Sequence, residues 1–141
     1  MLSLNIQFQR ENFTLNADFV LDNPVTGLFG ASGSGKSTLL SLIAGLEHPK
    51  KGWIKLDEQY LFHQQKKINI LPNKRQIGIV FQDSQLFPHL SVKQNLLFGY
   101  IRSEKNQRRF KLSEIVDLLE IGQLLKKLPR NFQEEKNNAL A

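Results

Sequence analysis

The sequence predicts an α/β fold in which antiparallel strands lead into a strand, a glycine-rich loop and a helix built to hold phosphate. Three observations predict it. The stretch GASGSGKST, Gly30 to Thr38, fits the pattern G-x-x-x-x-G-K-[ST]. An apolar run, Val25 to Phe29, precedes it, and KSTLLSLIAGLE follows with Leu39, Leu40, Leu42, Ile43 and Leu46 at helical spacing. Two alternating stretches, Leu2-Leu4-Ile6-Phe8 and Phe13-Leu15-Ala17-Phe19, come first and carry the period of half-buried strands.

In chain order, these two alternating stretches form an antiparallel pair, ended by the turn residues Asp22-Asn23-Pro24. Val25-Thr26-Gly27-Leu28-Phe29 reads as a short buried strand. In the loop, Gly30, Gly33 and Gly35 allow backbone N–H groups to converge on phosphate oxygens, and the helix N-terminus adds its positive dipole end. Ala31, Ser32, Ser34 and Thr38 complete the cradle, Lys36 reaches toward the β- and γ-phosphates, and Ser37 offers a hydroxyl to Mg²⁺. A plain glycine-rich turn before a helix is the competing reading. The flanking strand and helix weigh against it.

His48-Pro49-Lys50-Lys51-Gly52 reads as a turn and Trp53, Ile54 and Leu56 as a strand, while Glu58 to Leu71 shows no dominant period. Ile77 to Gln82 reads as a buried strand, parallel if it lies inside an α/β sheet. Gln82 stands at its carboxyl end, where groups that face a nucleotide are placed in such sheets. Ser91 is an N-cap for a helix over Val92 to Phe98 that Gly99 stops. A charged connector, Arg102 to Arg109, leads to a second helix capped by Ser113, with Ile115, Val116, Leu118 and Leu119 on one face and its end at Gly122. Leu124 to Leu128 is a short apolar turn closed by Pro129.

Composition is that of an ordinary globular domain: 141 residues, 40% hydrophobic and 23% charged. The absence of cysteine excludes disulfides and thiolate chemistry. The start, MLSLNIQFQR, has no signal-peptide pattern, and no apolar run reaches the roughly 18 residues of a membrane span, so a soluble, cytoplasmic chain is expected. The net charge of +6 arises from scattered basic residues, Lys50-Lys51, Lys66-Lys67, Lys74-Arg75, Arg102 to Lys111 and Lys126-Lys127. They read as solvated surface charge, with no nucleic-acid-reading motif beside them. His63 and His89 have no companion at metal-ligand spacing and read as loop or packing residues.

GLFGASGSGKSTLLSLIAGLE, PKKGWIKLD and KRQIGIVFQDSQLFPHLSVKQNLLFG together resemble the ATP-binding subunits of ABC transporters, specifically importers, over about residues 2 to 131. LPNKR and FQDSQLFPHLSV are most similar to the molybdate importer ATPases of that family. The resemblance implies a RecA-like P-loop NTPase core preceded by antiparallel strands, with ATP and Mg²⁺ bound at Gly30 to Thr38. It makes Gln82 the Q-loop residue that helps hold Mg²⁺ and senses the γ-phosphate. It places Asp83 to Leu97 near the groove for a transmembrane permease subunit, and implies a homodimer in the intact family at the inner face of the cell membrane. Phe8 and Phe13 are candidates for the aromatic residue that stacks on adenine, against the simpler reading of two core phenylalanines. A P-loop kinase or GTPase would need an acceptor or base-recognition motif, which is not apparent.

The resemblance divides the chain into residues 1–131, an ATP-binding domain incomplete at its carboxyl end, and a tail, 132–141. The family's L-S-G-G-[EQ] signature, its strand ending in Asp-Glu and its switch histidine are not in these residues. No catalytic residue is therefore assigned, and coupled hydrolysis by this polypeptide alone is not expected. Codons compatible with Phe132 onward, read from the third base of the Phe132 codon, encode Ser-Gly-Gly-Glu-Lys-Gln-Arg-Ile-Gly. That reading makes the tail a frameshifted version of the signature segment.

Overall fold

The computed structural model describes residues 1–82, 85–104 and 108–129. It divides into two compact units, residues 1–80 and the residues from 81 onward. The tail 132–141, Asp83 and residues 105–107 of the charged connector lie outside the described residues.

The first unit is built on the alternation of its first two strands, β1 (Leu2–Arg10) and β2 (Phe13–Leu21). They pair antiparallel from Leu2 with Leu21 to Arg10 with Phe13, and a two-residue turn joins them. Helix α1 (Lys36–Ala44) follows, then β3 (Lys51–Leu56), β4 (Gln59–His63) and the two-residue β5 (Ile68–Asn69). The sheet order is β2-β1-β3-β4-β5, with every neighbouring pair antiparallel. Gly52 makes the β1–β3 pairing possible. Its φ is +98°, and a Cβ there would lie 1.9 Å from the Asn5 carbonyl oxygen.

One face of this sheet carries the core. Leu4, Ile6 and Phe8 of β1 join Ile54 of β3, Leu61 and Phe62 of β4, and Leu39 and Leu42 of α1 in one buried cluster. Period 2 in the strand and a spacing of three in the helix bring these side chains together. Ile43 packs at its margin, whereas Leu40 and Leu46 are exposed, so the buried stripe of α1 is narrower than its sequence suggested. Gly45, in the left-handed region at φ 82°, ends the helix with a Schellman-type turn, and Leu46 falls outside it.

The strand expected just before the loop and the one expected to end at Gln82 do not form. Val25 to Phe29 and Ile77 to Gln82 have no ladder partner among the described residues, and Val25, Phe29 and Val80 are 87%, 93% and 99% exposed. An apolar run becomes a strand only when neighbours take up its N–H and C=O groups. Strands β4 and β5, in contrast, are hidden from periodicity by a register shift in the β3–β4 pairing at Ile54/Lys55 and by the brevity of β5.

The second unit contains α2 (Val92–Arg102) and α3 (Leu112–Leu118). Ser91 caps α2 as expected. Its Oγ accepts from the Gln94 N–H, and the Gln94 side chain accepts from the Ser91 N–H. Helix α2 runs through Gly99 to Arg102 instead of stopping at glycine, because the chain keeps its i→i−4 bonds and Gly99 merely lacks a side chain there. Two of its first amides, Val92 and Lys93, donate to Lys127 and Leu125 carbonyls, fastening α2 to the turn after α3. Lys111, not Ser113, is the cap position of α3, where Glu114 accepts from the Lys111 N–H. Only Val116 of its apolar face is buried; Leu118 and Leu119 are exposed. No helix among the described residues is long and apolar enough to cross a membrane.

Candidate phosphate-binding site

The loop between β2 and α1 is shaped by its glycines. Gly33 and Gly35 both lie in the left-handed region, at φ 79° and 95°, and the Ser34 N–H closes a turn onto the Ala31 carbonyl at 3.2 Å. Gly35 is also where the loop rests on the sheet. A Cβ there would lie 2.8 Å from Phe13 Cζ and 3.2 Å from Leu15 Cδ1. Any larger residue would lift the loop from its support.

Gly35 occupies the N-cap position of α1 and has no side chain with which to cap it, and the first turn contains no acidic residue. The amides at the start of a helix have no intrahelical acceptor, so an uncapped start seeks an anion from outside. Lys36 folds back over the loop, its ammonium donating to the carbonyls of Gly30 and Ala31, both at 2.8 Å. The cation is thereby held beside the amides it would serve, and the loop is braced by the same contacts. Ser37 is exposed on the first turn, and no hydrogen bond of its side chain occurs among the described residues. A hard, uncommitted hydroxyl oxygen suits Mg²⁺, which keeps several waters and phosphate oxygens and asks little of the protein. No cluster of three or more carboxylates and histidines that could hold a metal by itself exists among the described residues.

The site residues Gly30 to Thr38 are thus brought together by one loop and one helix start. Gln82 belongs to the second unit, exposed on a bend and not at the end of a strand as expected. Phe8 is a core residue, and Phe13 packs beneath Gly35 and against the core cluster, in line with the packing reading of both. His63 accepts from the Lys66 N–H at 3.3 Å and meets Tyr60 edge-on, while His89 meets Phe87 edge-on. His63 is half-buried at the end of β4, and His89 is exposed in the loop before α2.

Two structural residues escaped sequence reasoning. Asn95 knits the loop before α2 to the helix: its Oδ1 accepts from the Phe87 N–H at 2.8 Å, and its Nδ2 donates to the Phe87, Leu90 and Ser91 carbonyls. Arg75, read as surface charge, is 2% exposed, and burial pushes its guanidinium below its ordinary value. Neither was signalled by period or motif: Asn95 bonds only within its own loop and helix start, and Arg75 reaches carbonyls of α1 far along the chain.

Comparison with known proteins follows the same lines. The ABC transporter family matches residues 12–137. The molybdenum import ATP-binding protein ModC of Rhodospirillum rubrum is 42% identical over 141 residues, which is 100% of this chain and 38% of the relative. That of Pasteurella multocida is 45% identical over 130 residues, 92% of this chain and 36% of the relative. The chain therefore spans under two fifths of the length of these curated relatives. Among solved structures, a dimeric ATP-binding cassette in a post-hydrolysis state bound to ADP and Pi superposes with a TM-score of 0.62 at 24% identity. That match covers 92% of this chain and 62% of the cassette, and it bears on the fold alone.

Proposed function

We propose a function from one premise: the chain belongs to the ABC transporter family. It is the part of an importer's ATP-binding subunit that seats the nucleotide's phosphates, and the importer carries molybdate; its relatives are named as molybdenum import proteins. The observation that carries this reading is the uncapped start of α1 on Gly35, with the Lys36 ammonium poised over the loop.

The chemistry follows from those groups. A triphosphate would take hydrogen bonds from the amides of Gly33 and of Gly35 to Thr38, and the Lys36 ammonium would exchange the Gly30 and Ala31 carbonyls for the β- and γ-phosphates. Ser37 would offer an oxygen to Mg²⁺, and the ion would supply neutralisation of phosphate charge. The protein's part is to position and neutralise, and both tasks draw on groups already fixed by the loop.

Hydrolysis coupled to transport belongs to the assembled transporter. We assign Asp83 to Leu97 to contact with its membrane permease subunit, head-to-tail pairing to two ATP-binding subunits, and the inner face of the membrane to the assembly. The Asn95 network supports the permease assignment by giving residues 87–95 a set shape. Calorimetric titration with MgATP tests the central reading. Binding that disappears in Lys36→Ala, with the melting curve retained, is the expected result; equal affinity in that variant would refute it.

A further inference from the structure

Arg75 is buried without an acidic partner among the described residues. Its Nε donates to the Ile70 carbonyl at 2.8 Å, its Nη1 to the carbonyls of Leu42 and Ile43 at 2.9 and 2.7 Å, and its Nη2 to Asn69 Oδ1 at 3.1 Å. Leu42 and Ile43 belong to the last turn of α1, Asn69 to β5, and Ile70 follows directly. One planar fork therefore ties the carboxyl end of the phosphate-loop helix to the edge of the sheet. Room for it is provided by Gly45, where a Cβ would lie 2.6 Å from Arg75 Nε.

Stability alone does not account for this arrangement. A desolvated guanidinium meeting only neutral acceptors gives up hydration that no opposite charge restores, and an apolar side chain of similar volume often serves a core as well. What the fork does that an apolar side chain cannot is set a direction. It binds carbonyls that point out of the end of α1, where a cation also complements the helix dipole. The helix has nine residues, so its two ends are only about 13 Å apart. Leu39 and Leu42 hold its middle in the core, Ala44 is buried at its carboxyl end, and Gly35 rests on Phe13 and Leu15 at its amino end. These contacts are apolar and carry no direction, so they set the depth of α1 more than its angle. The hydrogen bonds of the fork add direction at the carboxyl end, and the amino end, which carries Lys36, takes its angle from them.

We propose that Arg75 is a positioning residue for the phosphate loop, holding α1 at the angle from which its first amides and Lys36 meet an anion. The inference rests on the reading of Gly30 to Thr38 as the nucleotide's seat, and it adds a residue that touches neither loop nor ligand.

The test compares Arg75→Met, Arg75→Lys and Asn69→Ala in the full 141-residue chain. Each is followed by MgATP titration, thermal melting and the amide NMR shifts of Gly33 and Gly35. Expected results are an affinity at least about tenfold weaker for folded Arg75→Met, and about threefold weaker for Asn69→Ala, which loses one contact of the fork. Arg75→Lys restores part of the affinity. The Gly33 and Gly35 amide shifts move in Arg75→Met even without nucleotide. A purely structural arginine would lower the melting midpoint while leaving the affinity of folded molecules and the loop shifts untouched, and that outcome overturns the proposal. Should Arg75→Met fail to fold, Asn69→Ala and Arg75→Lys carry the same comparison. Failure of the unsubstituted chain to bind MgATP would instead strike the phosphate-seat reading, and the nucleotide-free shifts would still judge the positioning role.

Discussion

Leu42 and Gly52 show how much single side chains decide in a sheet of five strands. Leu42 is fully buried between α1 and the strands, and its truncation leaves a cavity beside the helix that carries the loop. Leu42→Ala should lower unfolding free energy by about 3 kcal/mol, read from urea titration, with the spread known for such sites. Gly52→Ala should be similarly severe for a different reason, since a methyl group 1.9 Å from a carbonyl oxygen cannot be accommodated while β1 and β3 stay paired. Lys36 is the opposite case. Its contacts are with two exposed loop carbonyls, so removing it should change ligand binding far more than stability.

Among the elements, α1 and α2 illustrate two ways of starting a helix. Helix α2 has the Ser91–Gln94 capping box, and its first amides are also bound by Leu125 and Lys127. Ser91→Ala should cost about 1 kcal/mol, measured as a shift in the denaturation midpoint, because one cap is lost while the others stay. Helix α1 starts on glycine with nothing in place. The sequence marked the start of α2 well, since Ser91 announces its cap; the uncapped start of α1 is seen in the structure. It did worse with ends. Gly99 was read as a stop and is not one, while Gly45 was passed over and is the true end of α1. A glycine ends a helix only where the chain adopts the left-handed conformation, and the following residues decide that.

Over the whole molecule, the exposed apolar stretches set the solution behaviour. Val25, Leu28, Phe29, Val80 and Phe81 present backbone and side chain together, the pattern that invites pairing with other chains. The 141-residue chain should associate at micromolar concentration, and Phe29→Ser with Val80→Thr should raise its solubility without lowering its melting midpoint. Light scattering against concentration gives the comparison. The proposal that 132–141 is an out-of-frame tail is decided separately by the nucleotide sequence: third-base choices incompatible with the shifted signature would end it.

What the sequence determined by itself was whatever depends on neighbours along the chain. The alternation of β1 and β2, the glycines and lysine of Gly30 to Thr38, the Ser91 cap and the family all follow from spacing over a few residues. Tertiary structure decided what depends on distant partners. It buried Arg75 against carbonyls 32 and 33 residues away, and left Val25 to Phe29 and Ile77 to Phe81 without a ladder. Hydrophobicity along the chain tells which groups would gain from leaving water. Only the fold supplies the hydrogen-bond partners that let them do so, and for a buried cation or an apolar strand those partners settle the outcome.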